Sequence, residues 1–421
     1  MKILYVTDSF APESVGGAGQ VALDMARGML ARGHTVTVLT TTQYRDRVGT
    51  GTFEEIPVVR LYSSQKSFFA RSYLSAYNPF IRTALLSAVK EVAPDIVHAH
   101  NIHEHFSFAA LRWTKALGIP VFITLHDTLS FSYTRLYHFI HPFDKEQRPP
   151  FKYALSWWDT IRQVGKAFNP FRKWSIQTSL QSAQTVFVVS RALQDALKQN
   201  GISKTEVLYN GVTMNDFHAD QNEIASLRSE LGCHDRPVIL FGGRALQDKG
   251  SEVIIDAMAE RVVEKCPEAL VVMAIEKSPH GDALLRYAAQ KKVSHNIMCI
   301  DLMHGKRRAA LFSLADVVVV PSIYFDPAPL MVMQAMASAK PVIGTCFGGT
   351  PEIIEDGITG FIVNPFHTIL LGDKILEIIQ NPEKKRRMGD AALLRVQQLF
   401  SLHKHIDHAL AAYGKALIKG A

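Results

Sequence analysis

The sequence predicts an α/β protein of two domains, each a parallel sheet covered by helices. Three observations predict it. Short apolar runs rich in β-branched residues recur along the 421 residues, with helical stretches between them. The runs are apolar at successive positions rather than alternate ones, as strands buried on both faces are. There are eleven such runs, which two packed domains hold more readily than one long sheet.

In the first half the strands are expected at 2–7, 35–40, 95–100, 121–126 and 185–190. In the second half they are expected at 238–243, 270–275, 296–301, 316–321, 341–345 and 360–365. The break falls between 200 and 237, where NGISKTEVLYNGV precedes a polar, acid-containing helix and GCHDRP. This gives domains at 1–205 and 206–399, followed by an amphipathic tail helix at 400–421. By its pattern alone the tail closes the second domain or crosses back onto the first.

Composition supports a globular chain, with 47% hydrophobic and 20% charged residues. No apolar run reaches the roughly 20 residues of a spanning helix. MKILYVTDSF reads as a buried first strand rather than a signal segment, so a cytoplasmic location is expected. Cys233, Cys266, Cys299 and Cys346 are scattered without a CxxC and read as free buried thiols. The net charge of +7 lies wholly in residues 1–185, with 20 Lys+Arg against 13 Asp+Glu. Such an excess suits an acidic partner surface, but the patterns of nucleic-acid modules are absent and no nucleic-acid partner is expected. Residues 128–175 interrupt the strand–helix rhythm with Phe, Tyr, Trp and Arg. Three readings fit: an acceptor lip, a contact with an anionic membrane surface, or a helical insert packed on the first sheet.

Five places could carry chemistry. Gly16, Gly17 and Gly19 precede a helix after the first strand, where bare amides can approach an anion. Arg244 and Lys249 lie on the loop after the first strand of the second domain. Both can face a crevice at the strands' carboxyl ends, although solvated loop cations would look the same. Pro329 opens LMVMQAMA at its first helical position, leaving the amides of Leu330 and Met331 as free donors. Asp326 precedes that helix and Gln334 sits one turn inside it. His98, His100, His103 and His105 form HxHxxHxH, a conceivable metal set that lacks supporting Cys or acidic ligands beyond Glu104. No metal site is therefore expected. His126 ends the fourth strand beside Asp127, as a ligand contact or a locally bonded ring.

The ordered set of motifs resembles the retaining, GT-B-fold glycosyltransferases of family 4. It comprises the GG loop, RGHTVTVLT, PDIVHAHN, ITLHD, VVSRAL, LYNGV, GGR…DKG, ADVVVVPS, AMASAKPVI and GGTPEIIEDGITGFIV. The resemblance spans nearly the whole chain. It implies two Rossmann-like domains facing each other across a cleft, with the terminal helix returning to the first. By position, Arg244 and Lys249 match the pair that neutralises the diphosphate of a nucleotide-sugar. Gly16 and Gly17 match the loop approaching it, and Leu330 and Met331 its backbone donors. His126 matches the strand-end histidine beside the donor sugar. Asp326 and Gln334 fall on the two glutamates of an E-x7-E pattern, the first contacting sugar hydroxyls and the second the ribose.

The resemblance therefore implies a metal-independent hexosyltransferase with a nucleoside-diphosphate sugar as substrate and no cofactor. The acceptor would be a glycan or lipid-linked molecule in cell-surface polysaccharide assembly at the inner face of the membrane. Asp326 keeps the charge of a glutamate with a reach shorter by roughly 1.5 Å. Gln334 is a neutral acceptor, and MAIEK and Asp301-Leu302 replace glycine-bearing strand ends near the expected base site. These departures motivate an alternative, a catalytically impaired relative acting as an accessory or glycan-binding protein.

Overall fold

The computed structural model describes residues 1–13, 16–242, 247–274 and 279–420. The chain forms two compact units. The first comprises Met1–Leu136, Lys152–Gly211 and Leu402–Ala421, and the second Tyr137–Phe151 and Val212–Ser401.

The first unit holds an eight-stranded sheet built from β1 (Lys2–Thr7), β2 (Thr35–Thr42), β3 (Gly49–Phe53), β4 (Ile56–Tyr62), β5 (Ile96–His100), β6 (Val121–Leu125), β7 (Thr185–Val188) and β8 (Glu206–Val207). Its order is β3-β4-β2-β1-β5-β6-β7-β8, parallel except for the β3–β4 hairpin. The five expected strands are present, and β3, β4 and β8 are additional. The hairpin turns at Glu54 and Glu55, both at positive φ (48° and 66°). Such turns favour Asn-Gly or Asp-Gly, so the sequence carries no hairpin signature there.

The second unit holds six parallel strands: β9 (Val238–Phe241), β10 (Leu270–Ala274), β11 (Ile297–Ile300), β12 (Val317–Val320), β13 (Val342–Thr345) and β14 (Gly360–Val363). Their order is β11-β10-β9-β12-β13-β14, the 3-2-1-4-5-6 winding of a Rossmann sheet. Ile239, Phe241, Val271, Met273, Val317, Val319 and Ile343 pack one face of this sheet against helices and are fully buried. That is why these strands read as continuous apolar runs.

Two expected boundaries move. The first unit runs to Gly211 rather than 205, because His405 of the terminal helix bonds the Tyr209 carbonyl at 2.5 Å. That helix, Leu402–Gly420, belongs to the first unit. Ile406 reaches Gly28, Arg32 bonds Asp407 at 2.7 Å, and Tyr413 is fully buried. The aromatic insert 128–175 does not stay whole in the first unit, because residues 137–151 join the second. Phe139 and Phe151 lie 5.0 Å apart by ring centroids and pack on Phe347 at 5.9 and 5.6 Å. Asn364 also donates to the Asp144 carbonyl at 2.9 Å. The remainder lies in the first unit and includes the helix Trp157–Val164 and the start of the helix Arg172–Leu180. Among the described residues, all four cysteines are free, three buried and Cys299 half-buried.

Candidate active site

In a Rossmann sheet the strand order reverses beside the first strand, and ligands bind at the carboxyl ends there. In the second unit that point lies between β9 and β12. The loop after β9 brings Lys249, and the loop after β12 brings Asp326. Lys249 Nζ lies 2.6 Å from Asp326 Oδ2 and donates to the Tyr324 hydroxyl at 2.8 Å. The side chains are only 18% and 8% exposed, so the pair is largely withdrawn from water. Ser322 Oγ stands 3.4 Å from the same carboxylate oxygen.

Backbone contacts fix this arrangement. Ile323 N donates to the Asp248 carbonyl at 2.9 Å. Gly250 adopts φ +79°, and a Cβ there would lie 2.0 Å from the Pro321 carbonyl oxygen. Gly348, after β13, adopts φ +70°, with a Cβ position 2.1 Å from the Asp326 carbonyl oxygen. Both positions require glycine on two counts, conformation and space. Gly349 N then donates to that Asp326 carbonyl at 2.9 Å. The transferred insert joins here too: Tyr137 OH donates to Asp248 at 3.2 Å, and its ring lies 6.2 Å from Tyr324.

The helix expected to begin at Pro329 begins at Leu330, with Pro329 as its N-cap. The first amide to donate back is Val332, to the Pro329 carbonyl at 3.1 Å. The amides of Leu330 and Met331 precede it, so the expected donors stay at the helix mouth. Gln334 is half-buried one turn on. Arg244 lies outside the described residues, as do Ile275 to Lys277 of the MAIEK departure. Asp301 and Leu302 are exposed just past β11.

In the first unit the order reverses between β1 and β5. Gly16 caps the helix Gly17–Ala31, so Gly17 and Gly19 lie inside its first turn rather than ahead of it. Gln20 N donates to the Gly16 carbonyl at 3.0 Å and is preceded by the amides of Gly17, Ala18 and Gly19. Asp8, past the end of β1, accepts from the amides of Glu104, His105 and Phe106 at 2.6, 2.9 and 2.8 Å. Burial pushes this carboxyl up, and His103, His105 and the amides oppose that push. Asp8 thereby ties the loop after β5 to β1.

The histidines of HxHxxHxH disperse to separate partners. His98 bonds the Tyr413 hydroxyl and, at 2.8 Å, Thr124 Oγ1. His103 faces Asp127 at 3.8 Å, and His105 meets Ser63 at 2.9 Å. His100 Nδ1 lies 2.9 Å from His126 Nε2. Burial holds His98 and His100 neutral, far below the ordinary histidine range, and takes His126 down to about 3. His100 Nε2 is buried without a bond among the described residues. A buried bare acceptor is more readily tolerated than a buried bare N–H. This favours a neutral His100 with its proton on Nδ1, donated to His126 Nε2. In that arrangement His126 carries its own proton on Nδ1, where it can serve as a donor.

Lys249, Asp326, Leu330, Met331 and Gln334 are thus gathered in one unit; in the other, Gly16 and Gly17 open the helix Gly17–Ala31 and His126 stands just past β6. Sequence reading missed Tyr137, Ser322, Tyr324, Gly348 and Asp8, and considered His100 only as a conceivable metal ligand, not as the partner of His126. The GGT after β13 and the Asp directly after the first strand were available signals. Tyr137 had none, because its partner Asp248 is remote in sequence.

Among the described residues no group of three or more His, Cys, Asp or Glu is arranged to hold a metal ion, and no helix is long and apolar enough to cross a membrane.

Comparison with known proteins agrees with this architecture. The Glycosyltransferase Family 4 profile matches residues 15–216, and the Glycosyl transferases group 1 profile matches residues 224–395. An uncharacterized glycosyltransferase of Methanocaldococcus jannaschii is 26% identical over 375 residues, 87% of this chain and 85% of its own. The alpha-D-kanosaminyltransferase of Streptomyces kanamyceticus is 23% identical over 75% of this chain and 76% of its own. Spore coat protein SA of Bacillus subtilis is 27% identical over 51% of this chain, a match spanning 59% of that protein. Among solved structures, the sucrose-phosphate synthase of Thermosynechococcus elongatus superposes with a TM-score of 0.78 at 19% identity, covering 100% of both chains. HepE of Anabaena, in complex with UDP-glucose, superposes at 0.72 and 19% identity, also covering 100% of both. With two such profiles together matching most of the chain, the protein belongs to the GT-B-fold glycosyltransferases of family 4, group 1.

Proposed function

We propose that the protein is a retaining glycosyltransferase that moves a sugar from a nucleoside-diphosphate sugar to a glycan or lipid-linked acceptor in cell-surface polysaccharide assembly. The observation that carries this reading is the withdrawn Lys249–Asp326 pair at the switch point of the second sheet, beside the amides that open the helix Leu330–Ala337. A sugar leaving a nucleoside diphosphate builds negative charge on the β-phosphate oxygens. Lys249, Arg244 and the amides of Leu330 and Met331 meet that charge, and the reading requires no metal or other cofactor. As a phosphate takes up Lys249, Asp326 is released to accept from sugar hydroxyls. Gln334 serves the ribose through its neutral amide. In the first unit, the helix capped by Gly16 offers Gly17 to the diphosphate, and His126 Nδ1–H offers a donor to the sugar. No carboxylate is assigned as a covalent nucleophile, and front-face attack accounts for retention.

The test is calorimetric titration with UDP and GDP, followed by a panel of nucleotide-sugars read by mass spectrometry for released diphosphate. The structure of HepE with UDP-glucose makes UDP-glucose the first donor to try. A charge-assisted contact contributes about 1.5–3 kcal/mol, so Lys249→Ala weakens diphosphate binding by about tenfold or more. Absence of binding by either diphosphate at millimolar concentration would end the proposal.

A further inference from the structure

All four tryptophans of the chain, Trp113, Trp157, Trp158 and Trp174, lie in the first unit, and three of them are turned outward. Trp157, Trp158 and Trp174 are 59%, 60% and 65% exposed, and Phe171 and Phe80 are 73% and 81% exposed. These rings are linked into one region. Trp157 touches Trp158 at 5.2 Å and Phe168 at 6.2 Å. The Phe168 carbonyl accepts from Tyr73 OH at 3.3 Å, and Tyr73 meets the exposed Phe69 at 5.3 Å. Asn169 bonds the Tyr133 hydroxyl at 3.0 Å, and Arg172 bonds Ser75, so the strip 168–174 is seated on residues 72–75. Tyr77 meets Trp113 at 5.5 Å, with the Arg82 guanidinium over that indole.

The surrounding charge is mostly positive, although Arg71 is paired with Glu104 at 3.0 Å. Segments 64–82 and 152–174 hold eight Lys+Arg (Lys66, Arg71, Arg82, Lys152, Arg162, Lys166, Arg172, Lys173) and one acid, Asp159. Asp159 is turned back into the capping box of Ser156. Arg82, Lys152, Arg162, Lys166 and Lys173 are exposed. Outward rings of this number are unusual on a surface left to water. Indoles and phenyl rings interleaved with cations match the headgroup zone of a bilayer, where rings enter the boundary and cations meet phosphates.

We infer that this face of the first unit, built from 68–82 and 157–174, docks on an anionic lipid bilayer. The inference rests on the first unit alone and is independent of the donor reading. It also revises the membrane reading of the 128–175 insert, one of the three that its sequence allows. Residues 137–151 are committed to the second unit, and 68–82 take their place.

The experiment is flotation with vesicles of phosphatidylcholine alone or mixed equally with phosphatidylglycerol, at low and high salt. In parallel, intrinsic fluorescence reads the four tryptophans directly. Binding is expected only to anionic vesicles, with a blue shift, and is expected to fall at high salt as screening shortens to a few ångström. Charge reversal of Arg162, Lys166 and Lys173 weakens partition by about fivefold or more per charge. Trp157→Ala with Trp158→Ala weakens it without altering UDP affinity, because these exposed rings touch no proposed donor group. Flotation that ignores these substitutions places the contact elsewhere and overturns the inference. So does failure to float at low salt, including the case in which the rings are covered by self-association seen in light scattering.

Discussion

The strand ends of the two units solve the burial of polar groups in opposite ways. In the second unit a full positive charge and a full negative charge are withdrawn together, Lys249 on Asp326 at 2.6 Å. In the first unit His98, His100, His126 and His405 are withdrawn as neutral rings, bonded to hydroxyls, a carbonyl and one another. An ion pair is costly to break from one side but can exchange its partner for a phosphate. A neutral imidazole network offers one fixed hydrogen-bond donor and no charge. The contrast assigns an exchangeable charge to the second unit and a neutral donor network to the first.

Acid breaks the comparison most strongly. Burial lowers His126 to about 3 and His405 to about 4, from an ordinary 6.5. Between those values the unfolded chain binds protons that the folded unit refuses. Stability is therefore complete above about pH 6.5 and falls as pH drops, by about 1.4 kcal/mol per pH unit for each such ring. Thermal melts from pH 7 to pH 4.5 should lose the first unit by several kcal/mol before the second. A second unit that melts first would contradict the assignment.

Next in size is the ion pair. Lys249→Ala strands a buried carboxylate, a loss of about 3 kcal/mol in denaturant melts, at the low end of the range because Lys249 keeps some exposure. Lys249→Met with Asp326→Asn removes both charges and should recover most of that loss. A double substitution no better than the single one would show that packing, not charge, holds this loop.

These expectations show what the sequence can carry. Strands buried on both faces were legible because their apolarity is continuous, and Asp326, Lys249 and Gln334 because their spacing from strand ends is local. The β3–β4 hairpin was not, since a Glu-Glu turn hides its geometry. Asp8 was not, because the three amides it orders arrive from the loop after β5. Tyr137 was not, because the fate of 137–151 is decided by Phe325 and Phe347, which no pattern near residue 139 announces.

A smaller effect sharpens the role of Gln334. A carboxylate accepts a ribose hydroxyl about twice as strongly as a neutral amide oxygen. Gln334→Glu should tighten UDP binding by roughly fivefold, about 1 kcal/mol. An unchanged affinity would remove Gln334 from the ribose.

The smallest effect concerns a single proton. If His100 donates from Nδ1, His126 is the Nδ1–H tautomer, and long-range proton–nitrogen spectra of histidine-labelled protein should show a protonated Nδ1 and an accepting Nε2. His100→Phe keeps a ring between His98 and His126 but removes the donor. His126 Nε2 then loses its partner and the ring becomes free to move its proton, so the two tautomers should mix. In turnover assays this should appear as a change in kcat with little change in diphosphate affinity, because the imidazole–imidazole bond aims a donor without itself carrying charge. A native spectrum with the proton on His126 Nε2 would reverse the bond, make His126 Nδ1 an acceptor, and take from the first unit the donor that distinguishes it from the second.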